Sequence, residues 1–186
     1  MTTYLFVILA VYIPGWFLPI RPSALFLFLI FALTFILPAL NFVLFKVNGT
    51  IRDFYMTDMR QRRLPFLMTS LMYAGIALMF YWKFPVPNAV KLFLLITVLM
   101  LVATTITFFY KISVHSMAQW AMVGIFLFLN KITNAGFLYP MAALILVAGV
   151  VMSARLYLNA HTLREVMLGG TLGLVIGCGG MILLFL

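Results

Sequence analysis

The sequence predicts an all-α, polytopic bundle of six to seven membrane-spanning helices, and three observations carry that prediction. Of its 186 residues, 66% are hydrophobic and only 8% are charged, where soluble domains are about half apolar and a quarter charged. Mean hydropathy is +1.21. The apolar residues collect in runs close to the roughly 20 that one helix needs to cross a hydrocarbon core about 30 Å thick. A spanning backbone has no water to bond with, so each run must satisfy its own N–H and C=O groups as a helix.

Polar breaks place the spans at 3–20, 22–45, 65–82, 89–110, 116–130, 135–152 and 166–186. The first run, MTTYLFVILAVYIPGWF, lacks the basic leading region and cleavage signal of a secretory leader, so it reads as a retained span. Arg21-Pro22 separates it from the second. DMRQRRLPF at 58–66 leads into the third, where Pro65 suits a first helical turn because its missing N–H has no partner to lose there. KFPVPNA at 83–89 turns the chain into the fourth span and NKITNA at 130–135 into the sixth. Tyr81, Trp82, Tyr110, Trp120 and Tyr139 fall near span ends, as an interfacial aromatic belt does. No repeat or linker interrupts the pattern, so residues 1–186 read as one domain. The lone Cys178 excludes an internal disulfide, and the NGT sequon at 48–50 has no secretory context.

Alternating spans return segments 46–64, 111–115 and 153–165 to the face holding the N-terminus, here called face A. Face A receives Lys46, Arg52, Arg60, Arg62, Arg63, Lys111, Arg155 and Arg164, with all three acids and both histidines; Arg21, Lys83, Lys91 and Lys131 go to the other face. The net charge of +9 is spread over short breaks, too small for a nucleic-acid duplex, so anionic headgroups or a phosphorylated substrate are the expected partners. The positive-inside rule accounts for the basic excess and puts face A in the cytoplasm. It does not account for the histidines and acids.

Three stretches on face A carry candidate chemistry. In DMRQRRLPF, Arg60, Arg62 and Arg63 can grip a phosphate through planar forks of donors; the plainer reading is a topology-setting loop beside lipid headgroups. In YKISVHSM, 110–117, Lys111, Ser113 and a helix N-terminus suit an anion, and His115 can donate a proton near neutral pH. Equally, Ser113 can serve only as a helix cap. In ARLYLNAHTLRE, 154–165, a helix would put His161 and Glu165 one turn apart, where the carboxylate can hold one imidazole nitrogen and leave the other as a nucleophile. Arg155 joins them only if the helix bends or begins between 155 and 161.

Arg155-x5-His161-x3-Glu165, Ser113-x-His115 and an arginine-rich loop ending in Pro65 resemble, in this order, the three motifs of the type 2 phosphatidic acid phosphatase family, which includes the vanadium haloperoxidases. That pattern is K-x6-R-P, P-S-G-H and S-R-x5-H-x3-D, and the resemblance spans residues 58–165. It implies that His161 is a nucleophile forming a phosphohistidine, that Glu165 orients it, and that His115 protonates the leaving oxygen. It further implies that Arg155, Ser113, Lys111 and Arg63, with Arg62 and Arg60 beside it, hold the phosphate. No cofactor or metal is implied. Here Met56 stands where the motif has lysine, Leu64 separates Arg63 from Pro65, Ile112 and Val114 replace proline and glycine, and Ala154 and Glu165 replace serine and aspartate.

The expectation is a metal-independent membrane phosphatase acting on a lipid phosphate or diphosphate. The alternative is a catalytically inactive lipid-binding or structural membrane protein of the same fold. A transporter would need ionisable groups at mid-bilayer, which the spans lack. The resemblance implies the bacterial cytoplasmic (inner) membrane with the site on its outer side. Charge does not oppose that: without Arg60, Arg62, Arg63, Lys111 and Arg155, taken as substrate ligands, three basic residues remain on face A against four.

Overall fold

A computed structural model describes residues 1–13, 24–52, 58–83, 87–133 and 136–186. Among these, every regular element is helical: α1 (Thr2–Tyr12), α2 (Ala24–Val47), α3 (Met59–Lys83), α4 (Pro87–Thr107), α5 (Val114–Thr133), α6 (Leu138–Tyr157) and α7 (Leu163–Phe185). Five of them, α2, α3, α4, α6 and α7, are long and apolar enough to cross a membrane. Their outward faces carry Leu25, Leu146, Val150 and Leu183, each about two-thirds exposed or more, which only a hydrocarbon solvent tolerates in such number. The chain is an integral membrane protein.

Among the described residues, five helices meet that length and composition, where six to seven spans were expected. α5 has 20 residues, but Gln119, Asn130 and Lys131 dilute it, and ten of its residues are buried against its own neighbours. α1 is described over 11 residues, and positions 14–20 of the span expected at 3–20 lie outside the described residues. The Arg21-Pro22 break and Met56 lie outside the described residues.

The helices form two compact units, Thr2–Tyr110 and Lys111–Leu186. In the first, α3 packs along α4 and α1 packs on α2. Leu5, Phe6 and Leu9 are buried, and Phe6 stacks on Phe93, which contacts Phe80. α1 starts beside the middle of its neighbours: Thr2 Oγ1 and Tyr73 OH are 3.1 Å apart, and Thr3 Oγ1 lies 3.2 Å from Thr34 Oγ1.

One irregularity in α2 has a traceable cause. Residues Ala32–Ile36 form a π-turn just before Pro38. In an α-helix, proline both lacks the N–H that the carbonyl four residues earlier requires and collides with that carbonyl. Here that carbonyl belongs to Thr34, and Tyr73 OH donates to it at 3.1 Å.

α3 begins earlier than the sequence suggested, at Met59 rather than near 65. Asp58 is the reason: its Oδ1 accepts from Arg60 N at 2.9 Å, a side-chain N-cap. Pro65 therefore sits inside the helix, beyond its first turn, and the three arginines are helical.

Candidate active site

The unit Lys111–Leu186 is organised by glycines. A Cβ on Gly169 would lie 2.5 Å from the Ser113 carbonyl oxygen; on Gly173 it would strike the Met117 carbonyl, and on Gly177 the Ala121 carbonyl. The reverse contact is as tight, since a Cβ on Gly124 would lie 2.8 Å from Leu174 O and Cys178 N. Small residues every fourth position let two helix backbones touch, the usual device for packing inside a bilayer. Contacts advance in the same direction along both helices, so α5 and α7 run parallel. Their N-termini and the C-terminus of α6 share one end, which gathers Lys111, Ser113, His115, Arg155, His161 and Glu165. The Gly169-x3-Gly173-x3-Gly177 spacing was the one sequence signal of this seam, and reading the spans for hydropathy alone passes over it.

The turn between α6 and α7 is made by two caps. Asn159 adopts φ +48°, Ala160 N donates to Arg155 O at 3.1 Å and Asn159 N to Leu156 O at 3.0 Å, a Schellman ending. α7 then opens with a capping box: Glu165 N donates to Thr162 Oγ1 at 3.4 Å and Thr162 N to Glu165 Oε2 at 3.3 Å. His161 thus lies just outside the helix, not within one shared helical face as the spacing suggested. The contact still forms, across the cap: His161 Nδ1 and Glu165 Oε2 are 2.7 Å apart, with the side chains only 6% and 13% exposed. An ionised carboxylate only accepts, so against one Nδ1 is the donor of this contact. Arg155 is half-buried in the last turn of α6, and the bend that its participation requires is present.

Across the seam, Ser113 N donates to Glu165 O at 3.2 Å, tying the two N-termini together. Ser113 is fully buried, and its Oγ accepts from Ser116 N at 3.3 Å and from Ser116 Oγ at 2.9 Å. It is the N-cap of α5. Next to it, His115 is exposed and Lys111 half-buried.

The arginines belong to the other unit, Thr2–Tyr110. Arg60 is exposed, Arg62 is 7% exposed, and Arg63 spans to α4's end: its Nη2 donates to Phe108 O at 3.1 Å, with the guanidinium 5.1 Å from the Phe108 ring centroid. Arg63 Nε is buried without a hydrogen-bond partner. The motif spacing singled out Arg63, while the deeply buried charge is its neighbour Arg62, which hydropathy cannot rank. Among the described residues no three His, Cys, Asp or Glu side chains converge as a metal site would require.

No family model, curated protein or solved structure matches the chain.

Proposed function

We propose that the protein is a membrane phosphatase that cleaves a lipid phosphate or diphosphate through a phosphohistidine on His161. The observation that supports it best is the largely buried His161–Glu165 pair, 2.7 Å apart, at an end where two parallel helix N-termini meet. Both macrodipoles and the basic side chains favour a dianion there.

In this reading Arg155 and Lys111 hold the phosphoryl oxygens, with Ser113 keeping α5's first N–H groups in place. Glu165 holds Nδ1–H, Nε2 forms the P–N bond, and the P–O bond to the lipid breaks as His115 gives its proton to the leaving oxygen. Water then attacks the phosphohistidine, releasing phosphate and returning the imidazole. Fixed positive charge stabilises the transferring group, the main lever in phosphoryl transfer. Arg60, Arg62 and Arg63 enter the proposal by resemblance alone.

A second reading is favoured by the capping geometry. Glu165 already serves as the third residue of a capping box and Ser113 as an N-cap, so the same contacts suit a lipid-binding protein without turnover. Glu165→Gln separates the two. Glutamine also completes a capping box, so thermal stability should stay within a degree or two. If the carboxylate charge supports a developing imidazolium, phosphate release from phosphatidate should fall on the order of a hundredfold or more. Unchanged release would leave Glu165 as a cap only. Vanadate, a phosphate-like anion, should inhibit the wild type; a protein that releases no phosphate with any lipid phosphate supports the second reading.

The proposed location is the bacterial cytoplasmic membrane with this end outward. Arg164→Cys, at an exposed position in the first turn of α7, should then react with a membrane-impermeant maleimide in intact cells, and labelling only after lysis would place this end in the cytoplasm.

A further inference from the structure

His161 is the single residue between two caps. Ala160 N closes the end of α6 on Arg155 O, and Thr162, extended at φ −80° and ψ 162°, is the N-cap of α7. With the chain fixed on both sides, the direction of the imidazole depends on the carboxylate it meets. Glu165 is itself held from three directions. Its N–H donates to Thr162 Oγ1 at 3.4 Å, its carbonyl accepts from Ser113 N at 3.2 Å, and its side chain returns to the cap.

In that return contact Thr162 N donates to Glu165 Oε2 at 3.3 Å. The same oxygen lies 2.7 Å from His161 Nδ1. One carboxylate oxygen therefore meets two nitrogens of adjacent residues, the cap N–H and the imidazole. The cap bonds are longer than an ordinary N–H···O bond and the imidazole contact is short, so the carboxylate leans to His161 while the cap keeps it in register. A glutamate on an open helix face gives up the freedom of several torsions before it can hold a histidine. Here the capping box has already removed that freedom. Side-chain length matters as well. The reciprocal half of a capping box is made by Glu or Gln, and aspartate is one methylene shorter. Glutamate at 165 is what lets one oxygen serve cap and imidazole together.

We propose that Thr162 is a positioning residue for His161. Through the capping box it sets the one carboxylate orientation that holds the imidazole by Nδ1, and it acts through Glu165 rather than on the substrate. That His161 attacks a phosphate rests on the phosphatase reading; the orientation of its ring does not.

Thr162 is exposed, so Thr162→Val, which keeps the shape and removes the hydroxyl, disturbs no packing. With the full chain in phosphatidylcholine nanodiscs and phosphatidate as substrate, kcat should fall about ten- to a hundredfold, the effect of misplacing a reacting group. KM should stay within about twofold. Thr162→Ser restores the hydroxyl and should return kcat to within about threefold of the wild type. Glu165→Asp keeps the charge, yet its kcat should fall as that of Thr162→Val does. A cap with no part in the site would lower the unfolding temperature of Thr162→Val and leave kcat at the wild-type value. That result, or full activity in Glu165→Asp, overturns the proposal.

Tautomer populations test the same point without turnover. In protein carrying isotopically labelled histidine, with the His115 signals identified from His115→Gln, neutral His161 should show one tautomer by NMR, with its proton on Nδ1. Thr162→Val should bring in the Nε2–H tautomer, and Thr162→Ser should not. An unchanged tautomer in Thr162→Val overturns the positioning role and leaves the phosphatase reading standing wherever the wild type releases phosphate. A shifted tautomer in a protein that releases phosphate from no lipid phosphate removes the phosphatase reading and keeps Thr162 as the residue that orients His161.

Discussion

His161→Ala is expected to abolish phosphate release from a lipid phosphate, at least about a thousandfold below the wild type, because removing a nucleophile removes the covalent route altogether. The fold should survive. His161 lies outside α7, whose start is held by the Thr162–Glu165 capping box, so circular dichroism and thermal unfolding should remain close to wild type. Rapid quenching with labelled substrate should trap a base-stable, acid-labile phosphoryl group on the wild type and none on the variant. Turnover persisting in His161→Ala would end the mechanism.

Gly173→Leu is expected to break the α5–α7 seam, and with it the whole candidate site. The Cβ alone would collide with the Met117 carbonyl, a backbone atom that cannot rotate away as a side-chain tip does. Overpacking in a tight core costs about 1–3 kcal/mol, and a clash with backbone along the busiest helix pair belongs at or beyond the upper end. The variant should aggregate or unfold markedly earlier in detergent. Gly179→Leu is the control, because a Cβ there has nothing within 4 Å. Equal stability of the two leucine variants would show that the seam does not hold the unit together.

The motifs and the seam were not equally visible in the sequence. His161 and Glu165 were legible as a pair because four residues of separation bring two side chains together whether they share a helix or straddle its cap. Ser113 was legible as a cap for a local reason too, lying just before a helix with its hydroxyl in reach of the third N–H. Pro65 fits a first helical turn so well that it masks the stronger local signal, Asp58 capping Arg60. The end of α6 was also hidden, as Asn159 at φ +48° is an uncommon conformation that few residues but Gly, Asn and Asp adopt readily.

Composition and hydropathy by themselves determined the membrane class, the helical architecture and the grouping of titratable residues at span ends, because the bilayer constrains every residue of a span one at a time. Tertiary structure alone decided which helices meet. α1 meets α2 and α3 through Thr2 and Thr3, whose hydroxyls lie beside those of Tyr73 and Thr34. α5 joins α7 because three glycines on one helix admit three carbonyls of the other. Such pairings are properties of two surfaces together, and that is why Ser113 N reaches Glu165 O across 52 residues of chain that give no local sign of it.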